Sequence, residues 1–367
     1  MSLYFSILML FTFSYSVLIL LHGFKWNKRY TANVTEPELG ITVVIPFRNE
    51  EENLPACLTS LKNTEGNFRY EFIFVDDHSA DRSVDIINDA ALPASRLLRL
   101  TDTHGKKAAI AKAVGAARYD YIILLDADST VTPGWLQSML LTAVSGNFRA
   151  VGALVKFREE KSFLNKFLNV EMASLMGITA GGINLGFPVL ANGTNFLFSK
   201  EVFQAVGGYS NDRFASGDDV FLLQKIVEKF GAKSIAFNSD EIATVTTKAP
   251  SSFIKLLQQR VRWAGKTKGY RFLARMFTAF VGLYNIMMAL AVVSLVFAPY
   301  LFAFVLAMFI CKMAMDALLT LPVLSRTSQQ KLAYFIPAVA LLYPFYVLVT
   351  AAATLVLRPE WKGRKIA

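Results

Sequence analysis

Tyr121-Ile122-Ile123-Leu124-Leu125-Asp126-Ala127-Asp128 is an apolar, β-branched run that ends abruptly on two carboxylates one residue apart. A run this short, bounded by polar residues, predicts a strand buried on both faces, as strands in parallel sheets are. Two similar runs precede it, Ile41 to Ile45 and Phe72 to Val75, the second closing on Asp76-Asp77. Between them, Glu51 to Leu61 and Ser83 to Ala91 read as helices, with Asp81 or Ser83 placed to cap the second. The fold class expected is therefore α/β, an open and mostly parallel sheet with flanking helices. In such folds ligands bind beyond the carboxyl ends of the strands, which is where the acidic pairs fall.

Composition adds a membrane. The chain has 367 residues, 54% of them hydrophobic, more than a soluble protein carries. Leu3 to Leu21 is almost wholly apolar, with Lys25, Lys28 and Arg29 directly after it. A cleavable signal peptide places its positive charges first, so an uncleaved anchor is expected over residues 1–24, with the N-terminus outside and the next domain in the cytoplasm. The strand-and-helix pattern fills a cytoplasmic domain over 38–250, and an amphipathic, basic and aromatic interfacial helix is expected within 251–276. Residues 277–357 hold apolar spans, two between Phe277 and Leu324 that break at Ala298-Pro299-Tyr300, then Leu332 to Leu357 interrupted by Pro337 and Pro344. A basic tail, 358–367, closes the chain. Four spans leave that tail outside, against the positive-inside rule, unless the proline-interrupted segment is re-entrant or interfacial or one stretch hides another crossing. The integral membrane placement expected is the cell inner membrane.

The formal charge of +10 does not point to nucleic acid, because the basic residues cluster beside the apolar segments and suit anionic lipid instead. Cys57 and Cys311 are the only cysteines, so no disulfide framework or cysteine metal site is expected.

Asp126 and Asp128, at the rim of the sheet, suit a hard divalent ion with positions left open for diphosphate oxygens. Asp76-Asp77 offers carboxylates to a uracil imide or ribose hydroxyls, with Ser79 and Asp81 capping the following helix; His78 reads as a turn residue rather than a ligand, because no second histidine is near it. Gly105-Lys106-Lys107 sits in a loop before a helix from Ala108 to Ala117, where a lysine can reach donor phosphates. Asp218-Asp219, after Ser216-Gly217, opens a helix; Asp219 is placed to act as general base and Asp218 to position it. One base suffices for a single displacement that inverts the anomeric centre, whereas retention needs a second carboxylate as nucleophile. Gln259, Arg262 and Trp263 share a helix face, offering a cation to a departing diphosphate and a flat surface to a sugar. The glycines of Asn192-Gly193-Thr194-Asn195 and Gly207-Gly208-Tyr209 permit close approach of a substrate or simply make turns. Lys312 and Asp316, four apart in an apolar segment, read as a structural pair.

In order and wording these motifs resemble the membrane-bound family 2 glycosyltransferases from about Ile41 to Trp263. The matching pieces are Val43-Val44-Ile45-Pro46 with Asn49-Glu50, Val75-Asp76-Asp77 with Ser79 and Asp81, Gly105-Lys106, Asp126-Ala127-Asp128, Gly207-Gly208, Asp219 and Gln259-x-x-Arg262-Trp263. The resemblance implies a GT-A fold and an inverting reaction from a UDP-sugar. It implies that the first strand, with Pro46, Asn49 and Glu50, and the Asp76-Asp77 region bind the nucleoside, and that Asp126 and Asp128 hold diphosphate through Mg2+ or Mn2+. Asp219 matches the base, and the helix bearing Gln259, Arg262 and Trp263 matches the one lining the acceptor and diphosphate site. Processive members often carry Thr-Glu-Asp or Glu-Asp where this chain has Gly217-Asp218-Asp219, and they have more spans. The chain is closer in size to the ceramide glucosyltransferase type. The expected function is thus sugar transfer from a UDP-sugar to a membrane lipid or lipid-linked acceptor. A processive polysaccharide synthase is the alternative within the enzyme class, and a catalytically inactive scaffold with the same fold the alternative outside it.

Overall fold

The first strand, β1 (Gly40–Phe47), is buried along both faces, and its neighbours explain why. In the computed structural model, which describes residues 3–28, 30, 39–66, 68–210, 217–357, 360–361 and 364–365, it lies parallel between β2 (Arg69–Asp76) and β4 (Tyr121–Leu124). Phe47 pairs with Asp76, so β1 and β2 end together, while β4 stops three residues earlier along β1, with Leu124 opposite Val44; the three ends deliver Arg48 to Glu50, Asp77 and Asp126 to one edge. The seven-stranded sheet has the order β3-β2-β1-β4-β7-β5-β8, with β3 at Ser95–Arg99, β5 at Ala150–Ala153, β7 at Phe196–Ser199 and β8 at Ile235–Asn238. β7 runs antiparallel to both β4 and β5, which brings the Asn192–Asn195 turn to the same edge as Asp126. A separate parallel pair, β6 (Val155–Phe157) with β9 (Val245–Thr247), extends that edge.

The helices are α1 (Leu3–Lys25), α2 (Leu54–Lys62), α3 (Ser83–Ala90), α4 (Lys106–Ala116), α5 (Trp135–Ser145), α6 (Phe163–Asn184), α7 (Lys200–Ala205), α8 (Asp218–Phe230), α9 (Phe253–Lys266), α10 (Phe272–Ser294), α11 (Phe302–Arg326) and α12 (Ile336–Val356). Serine hydroxyls open three of them: Ser162 accepts from Asn165 N, Ser199 from Val202 N and Ser252 from Lys255 N. Asp81 accepts from Ser83 N at the start of α3 and from Glu51 N across the loop. Ser79 does not cap that helix as expected; its hydroxyl accepts from Asn49 N. α4 begins at Lys106, so Lys106 and Lys107 belong to its first turn rather than to the preceding loop.

α6 joins the two halves of the molecule. Its face is buried along most of its length, and two glycines four apart let neighbouring helices approach closely. A methyl at Gly177 would lie 2.8 Å from the Leu319 side chain of α11, and one at Gly181 would lie 2.6 Å from the His22 carbonyl oxygen of α1. Among the described residues, four helical segments are long and apolar enough to cross a membrane: Leu3–Lys25, Phe272–Ser294, Pro299–Arg326 and Gln330–Val356. With α6 clasping α1 and α11 from the sheet side, the molecule is a membrane protein of one α/β domain mounted on apolar helices. The link between α11 and α12 touches that domain, where Lys156 Nζ donates to Thr327 O at 2.8 Å and Gln329 Nε2 to Asn169 Oδ1 at 2.8 Å. α10 and α11 therefore leave the domain and return to it.

The expected interfacial helix is shorter than 251–276. α9 ends at Lys266, a 3-10 turn covers Thr267–Gly269, Arg271 is extended, and Phe272 already opens the apolar α10. Gly265 and Gly269, poor helix formers on either side of the break, account for the early end. Lys312 and Asp316 pair within α11 as expected, and Tyr15 of α1 donates to Asp316. In the basic tail, Glu360–Trp361 and Arg364–Lys365 form a small antiparallel pair; Arg358 and Lys362 lie outside the described residues, as do Arg29 and Ser216.

Candidate active site

The turn carrying Asp126 and Asp128 is fixed from below by buried hydroxyls. Asp126 N donates to Thr194 Oγ1 at 3.0 Å, and Thr194 Oγ1 shares a 2.9 Å hydrogen bond with Ser129 Oγ. Asp128 Oδ1 accepts from Thr247 Oγ1 at 3.0 Å, which sets the carboxylate's direction. Next in the chain, Asn195 is wholly structural: its side chain accepts from Trp135 Nε1 and donates to the carbonyls of Leu154 and Ala243. Two carboxylates of which one is oriented by a hydroxyl form an oxygen donor set that fits a hard divalent ion.

Lys106 stands between the acidic groups. Its Nζ is 2.7 Å from Asp126 Oδ1 and 3.0 Å from Asp218 Oδ2. Burial alone lowers a lysine, but the two carboxylates hold this ammonium above its ordinary value. Burial pushes the Asp126 carboxyl above the usual carboxylate range, with Lys106 pulling the other way. Asp218 is buried in the same way, yet Lys106 and then Lys266 hold it below that range. Gly193 makes the crowding possible: a methyl there would lie 2.8 Å from Asp218 Oδ2 and 3.1 Å from Lys106 Nζ. The close approach at this glycine is that of the protein's own Asp218 and Lys106 side chains.

Gly217, with φ of 87°, turns the chain into α8 so that Asp218 and Asp219 occupy its first turn. Asp219 Oδ1 accepts from Val220 N at 2.7 Å and lies 3.3 Å from Lys266 Nζ. Lys266 was not among the residues expected at the site. Continuing the Gln259, Arg262 and Trp263 face by one more turn reaches it, so the helical period was the available signal. Burial lowers the Arg262 guanidinium below its ordinary value, against the pull of Asp218, Asp219 and Asp126.

Arg260, beside Gln259 and Trp263 on α9 and lining the same cavity as they do, was also unforeseen. Its Nη2 is 2.5 Å from Glu171 Oε2 on α6, its Nε donates to Tyr346 Oη on α12 at 2.6 Å, and its Nη1 donates to Gln259 Oε1 at 3.2 Å. The guanidinium also lies 4.1 Å from the Trp263 ring centroid. No sequence signal pairs it with Glu171, because the partners come from helices far apart in the chain.

A cavity of about 690 Å3 gathers the expected residues: Pro46, Glu50, Asp77, Lys106, Asp126, Asp128, Asp218, Asp219, Gln259, Arg262 and Trp263 all line it. It continues between the membrane helices, past Thr278 and Gly282 of α10 and Thr350, Ala351 and Thr354 of α12. Asn49 and Asp76 lie outside it. Asn49 Oδ1 accepts from Ala80 N, and the buried Asp76 Oδ1 accepts from Ser79 N, so both shape the loops around the opening. Asp77 Oδ2 accepts from Gly105 N at 3.1 Å. His78 does occupy a turn, but a second histidine is near it in space, His104, with the two Nδ1 atoms 3.2 Å apart.

An open sheet whose strand ends and flanking turns carry acidic pairs, set against a basic-aromatic helix on membrane spans, defines a GT-A-like domain. Residues 42–207 match the family model described as glycosyl transferase family 2, and the chain carries a glycosyltransferase family 2 domain. It is 27% identical over 261 residues to the poly-beta-1,6-N-acetyl-D-glucosamine synthase of Staphylococcus aureus, a match covering 66% of this chain and 57% of that one. It is 25% identical over 272 residues to a probable glycosyltransferase of Bacillus subtilis, covering 68% of this chain and 62% of the relative. The chain thus spans less than two thirds of either relative's length. Among solved structures, a mannosyltransferase from Pyrobaculum calidifontis in complex with GDP-Man and Mn2+ aligns over 96% of this chain and 99% of its own, with a TM-score of 0.63 and 17% identity, a likeness of fold.

Proposed function

We propose that the protein is an inverting glycosyltransferase that moves a sugar from a UDP-sugar to a hydroxyl on a membrane lipid or lipid-linked acceptor at the cytoplasmic face of the inner membrane. The observation that carries this reading is the continuity of one cavity from Asp126, Asp128, Asp219 and Arg262 to the apolar helices α10 and α12. An acceptor with its hydroxyl at Asp219 and its tail along those helices fills both ends.

At the donor end, Pro46, Glu50 and Asp77 frame the nucleoside, and Asn49 and Asp76 act by holding the loops that bear Ala80 and Ser79. Asp126 and Asp128 would hold Mg2+ or Mn2+, whose chemistry is to neutralise diphosphate charge. Lys106, poised between Asp126 and Asp218, exchanges a carboxylate for a phosphate oxygen when the donor enters. Asp219, oriented by Lys266 and positioned by its neighbour Asp218, takes the proton of the acceptor hydroxyl as that oxygen bonds to the anomeric carbon. The bond from this carbon to the diphosphate breaks in the same step, and UDP leaves with the electron pair beside Arg262. A single displacement inverts the centre. Gln259 and Trp263 present the acceptor sugar or headgroup with an amide and a flat indole face.

The test is transfer of radiolabel from a panel of UDP- and GDP-sugars by purified protein in lipid extract, with Mn2+ or EDTA, partitioned between organic and aqueous phases. Metal-dependent label in the organic phase is the expected result. A second reading, processive synthesis of a polysaccharide, is favoured by the likeness to the S. aureus synthase; label in an ethanol-precipitable polymer establishes it and overturns the lipid acceptor.

A further inference from the structure

Asp77 faces two histidines brought together from different loops. His78 follows it at the end of β2 in a left-handed backbone conformation, φ 59°, uncommon for a residue with a side chain. His104 comes from the loop before α4, and the two imidazole centroids are 4.2 Å apart. His78 Nδ1 is 3.2 Å from Asp77 Oδ1 and 3.2 Å from His104 Nδ1, and His104 Nδ1 is 3.9 Å from the same Oδ1. Ligand atoms about 2.0–2.1 Å from a tetrahedral ion lie about 3.3–3.4 Å from one another. The observed triangle is close to one face of that tetrahedron.

The contacts around His78 and Asp77 orient both groups for an ion. His78 Nε2 is 3.3 Å from Thr101 O. A carbonyl only accepts, so this contact takes a proton on Nε2 and leaves Nδ1, which faces Asp77 Oδ1 and His104 Nδ1, as the nitrogen an ion would engage in place of any proton there. Gly105 N fixes the other Asp77 oxygen, Oδ2, and turns Oδ1 toward the imidazoles. The Asp77 side chain is only 2% exposed, whereas His78 and His104 are 32% and 58% exposed, so an ion reaches the triad from solvent and water can complete its shell.

We propose that Asp77, His78 and His104 form a transition-metal site of the Zn2+ class, separate from the oxygen-ligand pair Asp126 and Asp128, and that an ion bound there opposes donor binding. Two imidazoles and a carboxylate suit Zn2+, Co2+ or Ni2+ and discriminate against Mg2+, which prefers oxygen ligands. Opposition to the donor rests on the proposed role of Asp77 at the nucleoside, since a carboxylate oxygen engaged by an ion is withdrawn from the cavity it lines.

The experiment titrates Co2+ into the purified full chain in excess Mg2+, which occupies the oxygen-ligand site. The expected result is a single equivalent of Co2+ with the strong visible bands of low coordination, displaced by Zn2+. Those bands are lost in His104→Ala, an exposed position, and in His78→Asn, which keeps the left-handed backbone accessible. A weak six-coordinate spectrum, or strong bands that persist in His104→Ala, overturns the site. UDP affinity is then measured in the same Mg2+ buffer with and without Zn2+. A severalfold loss in the wild type and none in His104→Ala is expected. Unchanged UDP affinity in wild-type protein whose Co2+ bands are present overturns the opposition to the donor, and does so through the role given to Asp77 rather than through the ion site.

Discussion

Replacing Glu171 with Gln tests how α9 is held over the cavity. The side chains of Arg260 and Glu171 are 7% and 4% exposed, so neither charge has water as an alternative partner. Burial acts to lower the Arg260 guanidinium, yet the Glu171 charge, with help from Tyr346, holds it above its ordinary value. Removing one member of such a pair costs about 3–5 kcal/mol, because the other is left buried and uncompensated. Glu171→Gln keeps an oxygen acceptor for Nη2 and leaves Tyr346 Oη and the Trp263 ring in place, so the expected loss is at the lower end, about 3 kcal/mol. Thermal unfolding in one detergent reports it as a fall in Tm of several degrees. Acceptor KM should rise with donor affinity unchanged, because Arg260 touches Gln259 and Trp263 but no donor-side residue named above. The double variant Glu171→Met with Arg260→Met should recover most of the stability, as apolar replacements of buried pairs do, without recovering acceptor KM. Wild-type Tm in Glu171→Gln, or acceptor KM restored in the double variant, refutes the reasoning.

Other outcomes are expected at the cavity. Asp128→Ala should abolish the Mn2+ dependence of UDP binding, read by calorimetry with Mn2+ and with EDTA; an unchanged metal effect removes Asp128 from the metal site. Gly193→Ala should lower transfer by at least tenfold at near wild-type Tm, since its methyl displaces Asp218 and Lys106; wild-type turnover would show that the crowding is relieved at no cost. Lys106→Met probes the charge between Asp126 and Asp218. A lysine raised above its ordinary value contributes stability that is complete below the unfolded value and is lost only as pH rises through the folded one. The Tm difference from wild type should therefore be the same from about pH 7 to about pH 9, below the ordinary lysine value of about 10.4. A difference that fades across that window contradicts the pairing.

Where the chain's own period carries the information, the sequence was enough to read the structure. Short β-branched runs gave β1, β2 and β4, the last two closing on aspartates, and with them the edge that holds Asp77, Asp126 and Asp128, because a parallel strand buried on both faces has a recognisable composition that stops where polar residues begin. A helical face gave Gln259, Arg262 and Trp263. Contacts between distant segments were not legible. Arg260 meets Glu171 through α6, a helix long enough to span but without the hydropathy of a span, which was not read as an element. Lys266 meets Asp219, and His104 meets His78, only once the sheet has folded. The end of α9 was misplaced by several residues because the basic, aromatic stretch runs on through the break into α10, and composition alone does not mark where it turns.

Asp219→Asn gives the most direct test of the central claim, that one carboxylate at the start of α8 drives transfer from a donor held elsewhere in the cavity. The measurement pairs sugar transfer with UDP affinity in Mn2+ on the same preparation. Asparagine keeps the shape and cannot take the acceptor proton, so transfer should fall by at least a thousandfold while UDP binds with wild-type Kd, general-base contributions being about 10²–10⁴-fold. Wild-type turnover in this variant, or loss of UDP binding together with turnover, would contradict the account.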